Sequence, residues 1–323
     1  MNLSEREATV IQLVQHRADV PVSSLAKEAD MKEATFRRSL KRLIDDEILV
    51  RRAYIDLYKL GIAKRALFLS FRGDKNNTKR NELLNFLQNN GKTAYIAEVG
   101  GDYQFKVDIC TSNYTDLFLF LRSFSEQYGE FIRDKAIVQL AEQIEFSLRC
   151  LGGKAASTIP LRMGIHEATV TIDELDHRIL SELSEINEQS YGQLARKVGI
   201  PQSTFDYRVK NLFSRGVLLG YRYIVNRSKV GLLDYFHLVY VRGMGTQIRE
   251  QLYNFCTQHP NIRYFVQCIG SWDFEIGSNV SSPEEAIGLA EELRNVGDDA
   301  VVKITTLPLF RVSKVSNYPF KPI

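Results

Sequence analysis

Six residues near the N-terminus, Lys32, Thr35, Arg37, Arg38, Lys41 and Arg42, fall on one side of a helical pattern whose other side carries Phe36, Leu40 and Leu43. The i, i+4, i+7 spacing turns the three apolar residues toward a core and leaves the cations facing outward. From residue 33 to residue 42 four cations (Arg37, Arg38, Lys41, Arg42) stand against the single acid Glu33, a surface that attracts a phosphate backbone. A generic solvated helix carries the same kind of charge, so position decides the reading. This helix is the third of three.

The elements that must position it are legible upstream. Ser4 is a good N-cap residue ahead of Val10, Leu13 and Val14, a second short helix covers Ser23 to Ala29, and a turn follows at Asp30-Met31. The third helix then runs from Glu33 to about Asp46, which is helix-turn-helix spacing. Beyond it, Ile48 to Val50 and Tyr54 to Leu57 alternate like two strands of a wing, with Arg51 and Arg52 between them where phosphate is in reach.

An offset of 169 residues brings the chain onto itself: Leu25-Ala26 onto Leu194-Ala195, Thr35-Phe36 onto Thr204-Phe205, Tyr54-Ile55 onto Tyr223-Ile224, Gly101 onto Gly270 and Phe105 onto Phe274. Two copies of this length imply a tandem duplication, not a solenoid. The second third helix, Gln202 to Arg215, presents Gln202, Ser203, Thr204, Tyr207, Arg208 and Lys210, with Asp206 as the acid among them. Its attraction for phosphate is expected to be weaker, while its Gln, Ser, Thr and Tyr side chains can exchange hydrogen bonds with base edges. The two heads are therefore expected to be unequal.

After each head the pattern reads strand, helix, two strands, helix, strand. In the first copy Leu67, Leu69 and Phe71 alternate along a strand, Leu83, Leu84 and Leu87 mark a helix, and strands Thr93 to Val99 and Tyr103 to Ile109 meet at a glycine turn. A helix with Leu117, Phe120, Leu121 and Phe124 and a strand from Ala136 to Leu140 complete a βαββαβ order, the order of a ferredoxin-like sandwich. The predicted fold class is thus α+β, a winged helix-turn-helix plus a ferredoxin-like domain, repeated twice. The expected boundaries are 1–58 and 59–149 for the first pair, a linker over 150–170 carrying Gly152-Gly153 and Ala155-Ala156-Ser157, then 171–227 and 228–323 for the second.

This order, with a G-x-x-D type turn between the middle strands, resembles the Lrp/AsnC family of transcription regulators over nearly the whole chain, twice. The resemblance implies that the helix-turn-helix binds double-stranded DNA, that the ferredoxin-like domain pairs sheet on sheet, and that a small amino-acid-like effector binds near the turn. Gly270, Trp272 and Asp273 match that turn, and Gly101 and Gln104 are their counterparts, with Gln104 where the family has an acid. Lys32 and Pro201 stand where family members often have a capping Ser or Asn. Physically, Asp273 beside glycine amides could hold an amino acid's two charged groups. The plainer reading is a tight turn that needs glycine for its backbone angles and an acid for a local hydrogen bond.

A second architecture is similar. Siroheme decarboxylases combine the same two domain types, sometimes in tandem, and act on a tetrapyrrole; the resemblance implies an arginine pair followed by glycine-alanine at the wing. Here the segments read Arg51-Arg52-Ala53-Tyr54 and Gly220-Tyr221-Arg222-Tyr223, so the marker is half present.

Composition bounds the alternatives. With 323 residues, 44% apolar and 25% charged, the chain is not disordered, collagenous or disulfide-dense, and no apolar stretch approaches the length of a membrane span. The charged N-terminal segment predicts a cytoplasmic protein. Cys110, Cys150, Cys256 and Cys268 are too scattered for a zinc site, and the five histidines, His16, His166, His177, His237 and His259, form no catalytic arrangement. The expectation is therefore a non-enzymatic regulator with no cofactor or metal, no membrane partner, and a further pairing into a homodimer (a pseudo-tetramer) or a higher homo-oligomer.

Overall fold

Ser4 opens the first helix as a capping box, its hydroxyl accepting from the Glu7 amide at 3.3 Å while its own amide donates to the Glu7 carboxylate at 2.9 Å. Ser190 does the same with Gln193, and Asp173 accepts from the Asp176 amide at 2.9 Å. Lys32 and Pro201, by contrast, offer no side-chain cap to the helices they precede.

The computed structural model describes residues 3–73, 78–152, 160–166, 168–185, 189–243 and 245–320; part of the expected linker, 153–159, lies outside them. The first unit contains α1 (Glu5–Val14), α2 (Val22–Glu28), α3 (Glu33–Asp45), β1 (Leu49–Ile55), β2 (Ala63–Phe71), α4 (Thr78–Asn89), β3 (Thr93–Val99), β4 (Phe105–Thr111), α5 (Tyr114–Tyr128) and β5 (Ile132–Glu145). A short strand β6 (Leu161–Gly164) lies within the stretch expected to be linker. The second unit repeats the order of the first with α6 (Glu174–Ser184), α7 (Tyr191–Val198), α8 (Gln202–Ser214), β7 (Leu218–Val225), β8 (Leu233–Val241), α9 (Thr246–Gln258), β9 (Ile262–Gly270), β10 (Phe274–Val280), α10 (Pro283–Gly297) and β11 (Val301–Val315). The α+β class and the βαββαβ order of each unit are as expected.

Two features differ from the sequence reading, and both come from pairing between the units. Among the described residues no two-stranded wing forms within a head. Instead β1 is one continuous strand, antiparallel to β7, with Arg52 directly opposite Arg222. Each strand also packs on the other unit's helices: Ala53 and Ile55 of β1 join the core of α6, α7 and α8, while Tyr223 and Val225 of β7 join the core of α1, α2 and α3. The alternation near residues 48–57 was real, but alternation cannot say which strand is the partner.

The second difference is the length of β5 and β11. Each begins in its own unit's sheet and ends in the other's. β5 pairs with β2 through residues 132–139 and with β9 through 138–145. β11 pairs with β8 and then with β3. The order β2-β4-β3-β11-β8-β10-β9-β5, with β5 returning to β2, closes eight strands into a barrel to which β6 is added at β5. Closure removes open sheet edges, and the inner faces of the two units' sheets pack on each other within the barrel. Phe68, Val138, Phe236, Leu238, Val266 and Trp272 fill part of the interior, and the helices α4, α5, α9 and α10 cover the outside.

His237 of β8 is fully buried, with one ring nitrogen 2.9 Å from Ser278 Oγ and the other 3.1 Å from Thr306 Oγ1. Burial pushes its pKa down to about 4. The folded protein therefore holds a neutral imidazole that the unfolded chain protonates near pH 6.5. Its contribution is intact above pH 6.5 and is lost as pH falls toward 4, amounting to about 2 kcal/mol by pH 5. Thermal melts between pH 7.5 and 5, where depressed carboxylates are still ionised, should fall for the natural chain and fall less for His237→Gln.

Candidate nucleic-acid interface

In α3, Phe36 and Leu43 are buried and Leu40 packs against the same core, so the opposite face is exposed as its periodicity required. Lys32, Arg37, Arg38, Lys41 and Arg42 all lie on it, with Thr35 half-buried at its margin. Their electrostatic situations differ. Arg37 Nε donates to Glu33 at 2.8 Å and Lys41 to Asp45 at 2.8 Å, both exposed i, i+4 pairs worth a few tenths of a kcal/mol and readily exchanged for phosphate. Arg42 reaches the buried Glu7 at 2.8 Å and so helps fix α3 on α1. Among the described residues Lys32 and Arg38 form no ion pair, which leaves their charges fully directed to solvent.

In α8, Gln202, Ser203, Tyr207 and Lys210 are exposed and Thr204 is half-buried. Tyr207 stands out at 69% exposure. Arg208 does not share that freedom: it is bound to Asp173 and lies 3.1 Å from Asp176, and its hydrogen bond holds the Asp173 carboxyl below the usual range. One of the two cations counted on this face is therefore engaged in locking α8 to α6. Lys210 is the other.

Arg51 and Arg52 occupy the β1–β7 ribbon instead of the tip of a wing. Arg51 lies over the Tyr221 ring, 4.0 Å from its centroid. Arg52, half-buried opposite Arg222, has its pKa lowered by burial. The inter-unit pairing that replaced the wing turned these two side chains toward protein.

The glycine turns are built alike. The Asp273 carboxylate accepts from the Val241 amide at 2.8 Å, at the end of β8, and the Gln104 carboxamide oxygen accepts from the Phe71 amide at 2.6 Å, at the end of β2. A neutral acceptor thus performs in one unit what the carboxylate performs in the other. Gly270 has φ +143° and a Cβ there would lie 2.6 Å from the Ile137 carbonyl oxygen, so glycine is demanded by backbone approach. Gly101 needs glycine for a different reason, its φ of +89°, since the nearest backbone atom to a Cβ there would be 3.9 Å away. Trp272 is 1% exposed, packed edge-on against Phe68 in the barrel. These contacts give the turn a structural task, and Asp273→Ala should cost about 1–2 kcal/mol by leaving the Val241 amide without its partner. Asp273→Asn should cost much less, as Gln104 already demonstrates, with melting temperatures as the measurement.

The sequence reading passed over a cluster inside the barrel. Lys106 of β4 and Glu275 of β10, residues at equivalent positions of the two units, form a buried ion pair, and Tyr264 donates to Glu275 at 2.6 Å. Burial works against the Lys106 charge, but the Glu275 and Asp108 carboxylates outweigh it and hold the ammonium above its ordinary range. Arg222 with Glu145, and Arg227 with Asp234, extend the cluster toward the ribbon. A lysine and an acid at the 169-residue offset, each directly after the phenylalanine that opens its strand, were its signal.

Comparison with known proteins supports the assignment of the second head. Residues 172–212 match the AsnC-type helix-turn-helix domain. An uncharacterized HTH-type transcriptional regulator of Pyrococcus furiosus is 40% identical over 60 residues, 19% of this chain; the chain spans 40% of that relative's length. The proline dehydrogenase transcriptional activator of Rhizobium radiobacter is 31% identical over 109 residues, 32% of this chain and 68% of that protein. The chain belongs to the Lrp/AsnC family. Within the solved structures, this Lrp/AsnC chain shares its fold with the siroheme decarboxylase NirDL in complex with an iron-uroporphyrin III analogue, at 16% identity and a TM-score of 0.62, over 98% of this chain and 94% of that one. No helix among the described residues is long and apolar enough to cross a membrane.

Proposed function

We propose that this Lrp/AsnC chain is a sequence-specific DNA-binding regulator, a tandem duplication in which one chain holds the equivalent of a dimer. The observation that carries the reading is the exposed face of α3, where Lys32, Thr35, Arg37, Arg38 and Lys41 share one side of the third helix of a helix-turn-helix. In α8, Gln202, Ser203, Thr204, Tyr207 and Lys210 read the second half-site. The heads are joined by the β1–β7 ribbon and unlike in charge, so the operator consists of two unlike half-sites about 10 bp apart or a multiple of it. A small-molecule effector modulates binding. The test is selection of genomic fragments by the full chain across a salt series: enriched fragments sharing unlike half-sites, lost as salt rises, are expected, and retention unchanged by salt would contradict the reading.

A second reading has one observation in its favour. A groove of about 990 Å³ runs between the ribbon and β11, lined by Arg51, Arg52, Arg227 and Arg311 together with Phe310 and Val312. An apolar floor with several guanidinium groups suits a flat polycarboxylate, and the fold is shared with a siroheme decarboxylase. A Soret-band titration with siroheme separates the two readings; an unchanged band removes the enzyme.

A further inference from the structure

β5 leaves β2 after Gln139 and β11 leaves β8 after Leu309, so the edge that each strand had turned to its first partner runs on past the barrel. In the first unit that edge is covered. β6 pairs with it antiparallel, Leu161 to Gly164 against Glu145 to Glu142, and its Leu161 and Met163 pack with Tyr54 and Tyr58. Arg162, between them, lies 3.7 Å from Glu142.

At the 169-residue offset the same edge is Arg311 to Lys314 of β11, and Tyr223 and Arg227 stand where Tyr54 and Tyr58 do. Among the described residues no strand pairs with it. The groove of about 990 Å³ runs along it, and Tyr223, Arg227, Phe310 and Arg311 all line that groove. It is the second unit's counterpart of the seat that β6 fills. Leu233, Phe310 and Val315 line it too and are exposed, Phe310 at 71%. An uncovered strand edge beside exposed apolar side chains is a template for a further strand.

Charge defines what that strand carries. Arg51, Arg52, Arg227 and Arg311 line the groove against Glu47 and Asp234. Both acids are already engaged, Glu47 with Lys229 at 3.0 Å and Asp234 with Arg227 at 2.6 Å. Arg311 donates to Glu98 at 2.8 Å, a carboxylate it shares with Arg80, so positive charge is in excess. One exchange between the units is the most specific sign: Arg311 stands where the first unit has Glu142, the residue that faces Arg162. A strand seated here is matched by an acid where β6 has its arginine.

We infer that β11 from Arg311 to Lys314 is a docking edge for an extended segment of a partner protein, added antiparallel, with apolar side chains at two alternate positions and an acid between them. The segment lies between β11 and the first head, where Ile44 and Glu47 at the end of α3 bound the groove. The inference does not rest on the regulator reading. Its groove is the one that the second reading gives to a tetrapyrrole, but peptide binding and a Soret-band change are separate readouts, so each can fail alone.

The experiment is fluorescence anisotropy of labelled peptides with the full chain. The probe is the β6 segment, residues 160–166, carrying Arg162→Glu. The controls are the natural segment and the probe with Met163→Pro added, whose ring disrupts a strand. Saturable binding of the probe is expected, with the natural segment about tenfold weaker and the proline control at least as weak. Arg311→Glu changes an exposed side chain and should reverse the order of the probe and the natural segment. Hydrogen exchange at saturating probe should show new protection from Phe310 to Val315 and none from Glu142 to Glu145. Absence of saturable probe binding overturns the inference, as does equal binding of the proline control or an order that Arg311→Glu leaves unchanged. New protection on β5 overturns it too, because the probe would then have displaced β6.

Discussion

Removing either charge of the Lys106–Glu275 pair, as Lys106→Met or Glu275→Gln, is expected to destabilise the protein by about 3–5 kcal/mol. The reason is burial: the side chains of these residues are 6% and 1% exposed, so the survivor is left as an uncompensated charge. Their places in the two units are equivalent, so the exchanged pair Lys106→Glu with Glu275→Lys should be markedly more stable than Lys106→Glu alone, which sets two carboxylates together. Denaturant unfolding of the four proteins checks this. Losses below about 1 kcal/mol in both single variants would show that the pair is solvated. Pairing of unlike residues at equivalent positions is open to two fused units and closed to two identical ones, which is a physical reason for a single chain to carry both.

The second large effect concerns DNA. Lys32→Ala with Arg38→Ala should lower affinity for a selected fragment by about 100-fold near 0.1 M salt and flatten the dependence of log affinity on log salt by about two. These two cations have no protein partner among the described residues, so their charge is available to phosphate. Arg42→Ala should instead act through stability, because its partner is the buried Glu7. Tyr207→Ala should cost less affinity than the double variant and leave the salt slope unchanged, since a neutral side chain displaces no counterion. Fluorescence anisotropy over a salt series measures both quantities. Equal losses and equal slopes for the two proteins would show that charge does not divide the heads.

How much of this was legible beforehand depends on the range of the interaction. Capping by Ser4 and Asp173, the helix faces marked by Phe36, Leu40 and Leu43, and the strand alternation of Leu67, Leu69 and Phe71 are local consequences of side-chain type and period, and all could be read in order. The 169-residue offset likewise exposed two units and the unequal composition of their third helices. Ion-pair partners were not legible: Arg208 looked like a second contact residue until Asp173 and Asp176, brought close by packing, were found to hold it.

The sequence by itself determined the α+β class, the two helix-turn-helix heads and the basic face of α3, because periodicity and caps act within a few residues. Only the tertiary structure decided that β1 pairs with β7, that β5 and β11 cross between units to close a barrel, and that Lys106 meets Glu275 inside it. Strand pairing and buried charge are long-range: hydrogen-bond partners and local dielectric are fixed by residues far away in the chain, and no spacing within a strand records them.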